Sequence, residues 1–373
     1  LRANSQQQVL QALAQWPFPN LNFVFADRAG HIGYHAVGTV PRRRADWLGF
    51  RPADQREHQW RGQWPFAELP QQLDPACGWV ATANNPPWAG SGDYLQLGHW
   101  ADGYRFRRIR ECLQGNGQID VEQMAALQAD ILHPRSAELA APAAGALRRC
   151  SLQGAEELAA ILAAWDGSYA LAEIAPTLFE AFWLFWRRRV AAERFPERWV
   201  NTAAERSGSI ARQLLLGKRS EWFVDGQVEK ACERAWCEAL AWLRQELGDC
   251  GDHWRWGAVH TVRFPHPLTN QSPPLERLLS PGPFPATGGN GTVRAAGFST
   301  DQPFVMTSGS TYRLVVDMSW EARALATTTG GSSGHPGSPH YADQTALWSA
   351  DLYHPLEMDL TDNDLESQLL LLP

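Results

Sequence analysis

Residues 119–250 carry helical patterning almost throughout, and short β-type runs lie on both sides of them. That order suits an α+β chain, a layered sheet interrupted by a helical lobe. Helix breaks are expected near Pro134, Gly145, Asp166-Gly167, Pro176 and Pro196. Between two of them, Leu178, Phe182, Phe185 and Trp186 recur at i, i+4, i+7 and i+8. Such a stripe faces a core and reads as packing, not as a cofactor box.

The flanks supply the β part. Residues 4–16 predict a helix capped by Asn4 or Ser5, with Val9, Leu10, Leu13 and Trp16 on one face. The runs LNFVFA and HIGYHAVG flank the link DRAG and predict a β-hairpin. Residues 39–75 are rich in Pro, Trp and Arg and read as a long surface loop. A strand at Gly78–Ala83 is expected to deliver Asn84-Asn85-Pro86-Pro87, and a basic helix begins at Tyr104. After residue 255 come the strand-like runs AVHTVRF, TVRAAGF, PFVMT, YRLVVDM and RALATTT. The implied segments are 1–118, a helical lobe at 119–254, and a returning β-rich part at 255–373.

Composition narrows the function. A net charge of −7 over 373 residues argues against a nucleic-acid surface, and Arg42-Arg43-Arg44 reads as a solvated loop face. The most apolar stretch, Ala170–Trp186, contains Glu173 and Glu180 and is shorter than the roughly 20 residues a membrane span needs. Leu1 opens no signal peptide, so the expectation is a processed product or a piece of a longer chain. Six cysteines show no CxxC spacing, which disfavours a zinc site. A bridge from Cys250 to Cys232 or Cys237 and buried free thiols both stay open. Eighteen Trp residues point to aromatic core packing or aromatic-lined pockets.

The tail is the most specific stretch. GGSSGHPGSPHYADQTALW, residues 330–348, resembles the C-terminal signature of the penicillin acylase family, GG(Q/S)SGHPLSPHYADQLPLW. Gly331, Ser333, His335, Pro336, Ser338, His340, Tyr341, Asp343, Gln344 and Trp348 fall in step with it. The helix-then-hairpin at residues 4–37 is similar to the family's NWVYAD-xxG-NIGY. Asn84 fits its motif (N/T)xNNxP, and Arg105 its motif GYRxxRI. The likeness is strongest at 1–40, 78–112 and 259–348.

The resemblance implies a four-layer αββα N-terminal-nucleophile hydrolase core, present here in part, with a large helical insert. It implies hydrolysis of linear amides, as in penicillin, cephalosporin or acyl-homoserine-lactone acylases. In that chemistry a Ser freed by self-cleavage attacks the carbonyl, and its own α-amine, with a pKa near 7.7–8.0, takes the proton. With Leu1 first, the nucleophilic Ser is expected outside this chain, which makes the sequence the C-terminal part of the large chain. Ser207 and Ser209 lack any processing context as substitutes. Asn84 is then the oxyanion-hole donor and Arg105 supports the site; on local sequence alone NNPP is simply a turn. Asp93 falls near a calcium-ligating Asp of the family, with the remaining ligands upstream. His335 and His340 suit a metal by type, but no paired carboxylate accompanies them, and their loop matches one that packs and caps. The implied partners are a small α chain, the N-terminal remainder of the precursor and a small acyl-amide substrate, in the periplasm or secreted. Two rivals stand beside this reading: an inactive structural piece of such an acylase, and, from the Trp count alone, a carbohydrate- or peptide-binding module.

Overall fold

The computed structural model describes residues 3–43, 50–87, 100–115, 117–218, 220–224, 226–269, 272–319 and 323–356. The chain divides into two compact units. One comprises Leu1–Met124 with Val315–Leu325 and Pro355–Pro373; the other comprises Ala125–Leu314 with Ala326–His354. Residues 255–314 therefore group with the helical residues.

In the first unit, helix α1 (Gln6–Leu13) starts at Ser5, whose hydroxyl accepts from the Gln8 N–H at 3.4 Å. The Gln8 side chain reaches back to the Asn4 N–H at 3.0 Å, so two orphan donors of the first turn are satisfied. Leu13 is buried, and Trp16, past the helix end, meets the Phe23 ring edge-on at 5.6 Å. The expected hairpin is present. Strands β1 (Leu21–Ala26) and β2 (Ile32–Val37) pair antiparallel, Leu21 opposite Val37 and Ala26 opposite Ile32. Asp27 Oδ1 accepts from the Ala29 and His31 amides at 2.9 and 3.0 Å, and Gly30 takes the left-handed φ of 91° that closes the link. Strand β3 (Gln71–Leu73) adds to β2, giving the order β1-β2-β3. Of the basic run, Arg42 pairs with Glu68 at 2.5 Å and lies over the Trp64 ring. Two further helices follow, α2 (Tyr104–Gly115) and α3 (Val121–Gln128).

The second unit is built on α4 (Pro134–Arg148), α5 (Ala155–Ala164), α6 (Ala175–Ala192), α7 (Val200–Arg206), α8 (Gly208–Leu215) and α9 (Val228–Leu247). The expected breaks at Pro134, Pro176 and Pro196 sit at helix ends; Gly145 does not. It lies inside α4 between the fully buried Ala144 and Ala146, where packing outweighs the roughly 1 kcal/mol helix cost of glycine. The stripe on α6 is core: Leu178, Phe182 and Trp186 are buried, and Phe182 stacks on Trp236 of α9 at 4.2 Å. Each of these indoles also has a polar partner, Trp186 donating to the Ala211 carbonyl and Trp236 to that of Ala143. Glu180, also buried, accepts from the Tyr169 hydroxyl at 2.5 Å and faces Arg135 at 3.6 Å. The large aromatic residues of α6 and α9 are therefore spent on packing.

The returning strands are shorter than their patterns predict. Strands β4 (Thr261–Val262) and β5 (Phe284–Pro285) form one pair, and β6 (Ala296–Gly297) and β7 (Ser308–Gly309) another. Among the described residues of this part, only β8 (Tyr312–Val316) and β9 (Ala324–Thr328) reach five residues, and with β10 (His354–Leu356) they form a sheet of order β10-β9-β8. Side chains have taken the place of ladder bonds. His260 Nδ1 pairs with the Phe304 carbonyl at 2.5 Å, Asn290 Oδ1 accepts from the Phe298 N–H, and Thr292 donates to the Arg294 carbonyl. PFVMT keeps one bridge, Val262 to Met306. Cys150, Cys232, Cys237 and Cys250 are unbridged. Burial pushes the Cys150 and Cys232 thiols up to about 11 and about 12, so both are poor nucleophiles. Among the described residues no helix is long and apolar enough to cross a membrane.

Candidate active site

The expected strand Gly78–Ala83 is not formed as a strand. Its backbone groups are tied to side chains instead. The Ala83 N–H donates to Asn85 Oδ1 at 3.0 Å, and the Ala83 carbonyl accepts from Arg105 Nη2 at 2.9 Å. Asn85 is buried, and its Nδ2 donates to the Pro86 carbonyl at 2.7 Å. The two asparagines thus divide the work, Asn85 tying the turn from within while Asn84 points outward. Asn85 meets the turn reading of NNPP.

Asn84 has a left-handed φ of 61°. Non-glycine residues rarely adopt that conformation, Asn more readily than most, and such outliers gather at functional sites. Its carbonyl accepts from the Ala101 N–H at 2.7 Å, and its side-chain Oδ1 accepts from Arg105 Nη2 at 2.8 Å. Arg105 is the second residue of α2, whose start is held by Asp102 Oδ1 accepting from the Tyr104 N–H at 3.3 Å. Burial pulls the Arg105 pKa below its usual value, and the nearby charge of Asp102 partly restores it. A guanidinium has only donors, so the atom it meets must be the amide oxygen. The orientation of Asn84 follows from that chemistry: its NH2 is turned away from Arg105. No other group binds that NH2 among the described residues.

Asn84 lines a cavity of about 230 Å³ together with Asn20, Asn22, Val37, Leu69 and Trp100. Sequence reasoning missed Asn22. Its signal is a polar residue inside the apolar run LNFVFA, and the Tyr34 hydroxyl donates to its Oδ1 at 2.7 Å, which turns a second amide NH2 outward. Burial pushes the Tyr34 pKa up to about 12, so that donor stays protonated. Arg108 faces Glu111 one turn on at 4.0 Å, as a helix-surface Arg does. Asp93 lies outside the described residues. Among the described residues no three His, Cys, Asp or Glu side chains gather to hold a metal.

The family model described as penicillin amidase matches residues 1–364. The chain belongs to that family. Penicillin acylase 2 proenzyme of Pseudomonas sp. (strain SE83) is 33% identical over 362 residues, covering 93% of this chain and 45% of the relative. Acyl-homoserine lactone acylase QuiP of Pseudomonas aeruginosa is 28% identical over 392 residues, covering 94% and 46%. The chain thus spans about half the length of the curated relatives it matches. Thermostable penicillin G acylase from Alcaligenes faecalis superimposes with a TM-score of 0.69 at 19% identity, over 100% of this chain and 71% of that one; that likeness concerns the fold.

Within this chain, the signature tail is a self-capping loop. Ser333 Oγ accepts from the His335 N–H, His335 Nδ1 from the Gly337 N–H, and Ser338 Oγ from the His340 N–H, all within 3.1 Å. His340 Nδ1 pairs with Asp343 at 2.9 Å. A Cβ on Gly331 would sit 2.0 Å from the His340 carbonyl oxygen, so only glycine fits. Trp348 is buried, donates to the Ser310 carbonyl, and has Arg294 and Arg313 over its ring. Both cations meet Asp351, at 2.6 and 2.7 Å. Ser333, His335 and Ser338 hold backbone N–H groups, while His340 and Asp343 hold each other.

Proposed function

We propose that this chain carries the carbonyl-polarising part of an amide hydrolase of the acylase type, with Asn84 as the oxyanion donor and Arg105 as the residue that orients it. The observation that supports this most is the 2.8 Å bond from Arg105 to Asn84 Oδ1, which leaves the amide NH2 beside a cavity with no partner among the described residues. When a nucleophile adds to an amide, the carbonyl oxygen becomes negative. A donor fixed beforehand at that place stabilises the charge without reorganising. Leu21, Val37, Val40 and Leu69 give the same cavity an apolar wall for an acyl group.

The proposal places the attacking hydroxyl on another part of a longer precursor. In this reading it is an N-terminal Ser whose α-amine acts as the base. Ser207 does not replace it: its hydroxyl is buried and donates to the Ala204 carbonyl at 3.0 Å. The proposal extends to a four-layer αββα core completed by the remainder of the precursor, a smaller partner chain cut from it, and a periplasmic or secreted location. Substrates are linear amides of the penicillin or acyl-homoserine-lactone kind. The test is Asn84→Ala in the full-length precursor, assayed on phenylacetyl and long-chain acyl amides. Turnover should fall about 10²–10³-fold with the melting temperature unchanged; undiminished turnover removes Asn84 from the mechanism.

A further inference from the structure

The C-terminal end of α6, helices α7 and α8, and the turn Ser220–Trp222 enclose a second cavity, of about 530 Å³, that shares no residue with the Asn84 site. Its walls are Ala191, Phe195, Trp199, Ile210 and Trp222. Phe195 and Trp199 are 45% and 52% exposed, so two large aromatic rings stand open to solvent beside a concave surface. The shape is held in advance. The Trp222 indole N–H donates to the Val190 carbonyl at 2.9 Å, and Arg194 lies over its ring at 5.5 Å while donating to the Glu221 carbonyl. Volume, apolar lining and preformed walls are those of a small-molecule site.

Among the described residues lining the cavity, the one charged group is Arg206, at the end of α7. It is exposed and has no ion-pair partner among the described residues. A planar guanidinium donates two parallel hydrogen bonds to a carboxylate. A single cation at an apolar cavity selects a monoanion with a hydrophobic body.

We infer that this cavity binds a medium-chain aliphatic or arylaliphatic monocarboxylate, its tail among Phe195, Trp199 and Trp222 and its head on Arg206. The inference stands apart from the amide-hydrolysis reading, so Asn84→Ala should leave binding unchanged. The test is calorimetric titration of the purified protein with decanoate below its micelle concentration, beside 1-decanol. Decanoate should saturate one site and bind more tightly than decanol. Arg206→Gln, a change on the surface, should weaken decanoate about tenfold, the effect of losing one charge-assisted contact, and leave decanol unaffected. Ile210→Trp, which fills the cavity, should abolish both. The inference is overturned if decanoate does not saturate a site, if decanol binds equally well, or if neither substitution changes the decanoate affinity.

Discussion

The helical residues and the hairpin residues solve burial in opposite ways. In the helical unit, Trp183, Trp186, Trp236, Phe179 and Phe182 are almost wholly withdrawn from solvent, and α6 is buried without a break from Ala175 to Leu184. In the unit that holds β1 and β2, β2 buries Tyr34 and Val37, but several large side chains stay open: Phe18 is 78% exposed, Trp60 69% and Val24 53%. Strand β1 buries no residue fully. The helical part completes its own core, whereas the hairpin part offers apolar surface of the kind that further chain covers. The outward amide of Asn84 belongs to the second kind of region, where loops held by a few polar bonds leave donors unpaired.

This contrast can be broken by substitution. Trp183→Ala in the helical core should cost about 3–5 kcal/mol of unfolding free energy, the usual loss for a fully buried Trp, read from denaturant melts. A cost near that of a surface change would mean that the helical core is not the stabilising element.

A second measurement uses pH. His260 is fully buried against Trp256, and desolvation pushes its pKa down to about 4, with the Arg294 charge adding to the effect. Unfolded, it titrates near 6.5. Above about pH 7 the imidazole is neutral in both states and its contribution is complete. As pH falls from 6.5 toward 4 the unfolded chain takes up a proton that the folded one refuses, so stability drops, by roughly 3 kcal/mol in all, and levels off below. His260→Asn should flatten that part of the pH–stability curve. At the small end, Val24→Ser on the open face of β1 should shift stability by no more than about 0.5 kcal/mol; a loss of several kcal/mol would show that this face is already covered.

The same difference explains what was legible beforehand. Helical periodicity is strong where one face is buried continuously, so the stripe on α6 and the hairpin at 21–37 could be read from apolar spacing and turn residues. Gly145 misled because tertiary packing overrides a local helix cost. The strand at 78–83 and the run PFVMT misled for another reason: β-propensity does not reveal that Asn85, Arg105 and His260 take over the backbone groups a ladder would use. Asn84 and Arg105 were each named from motifs. Their 21-residue separation hid the hydrogen bond that joins them, and Asn22 was hidden inside an apolar strand.

That bond is where the account is most exposed. Kinetics of a double-mutant cycle on the full-length precursor test it directly, comparing Asn84→Ala, Arg105→Met and the two combined. If Arg105 works by aiming the Asn84 amide, Arg105→Met should lower kcat with the substrate KM little changed, and should cost almost nothing further once Asn84 is alanine. Two losses that multiply in full in the double variant would contradict it.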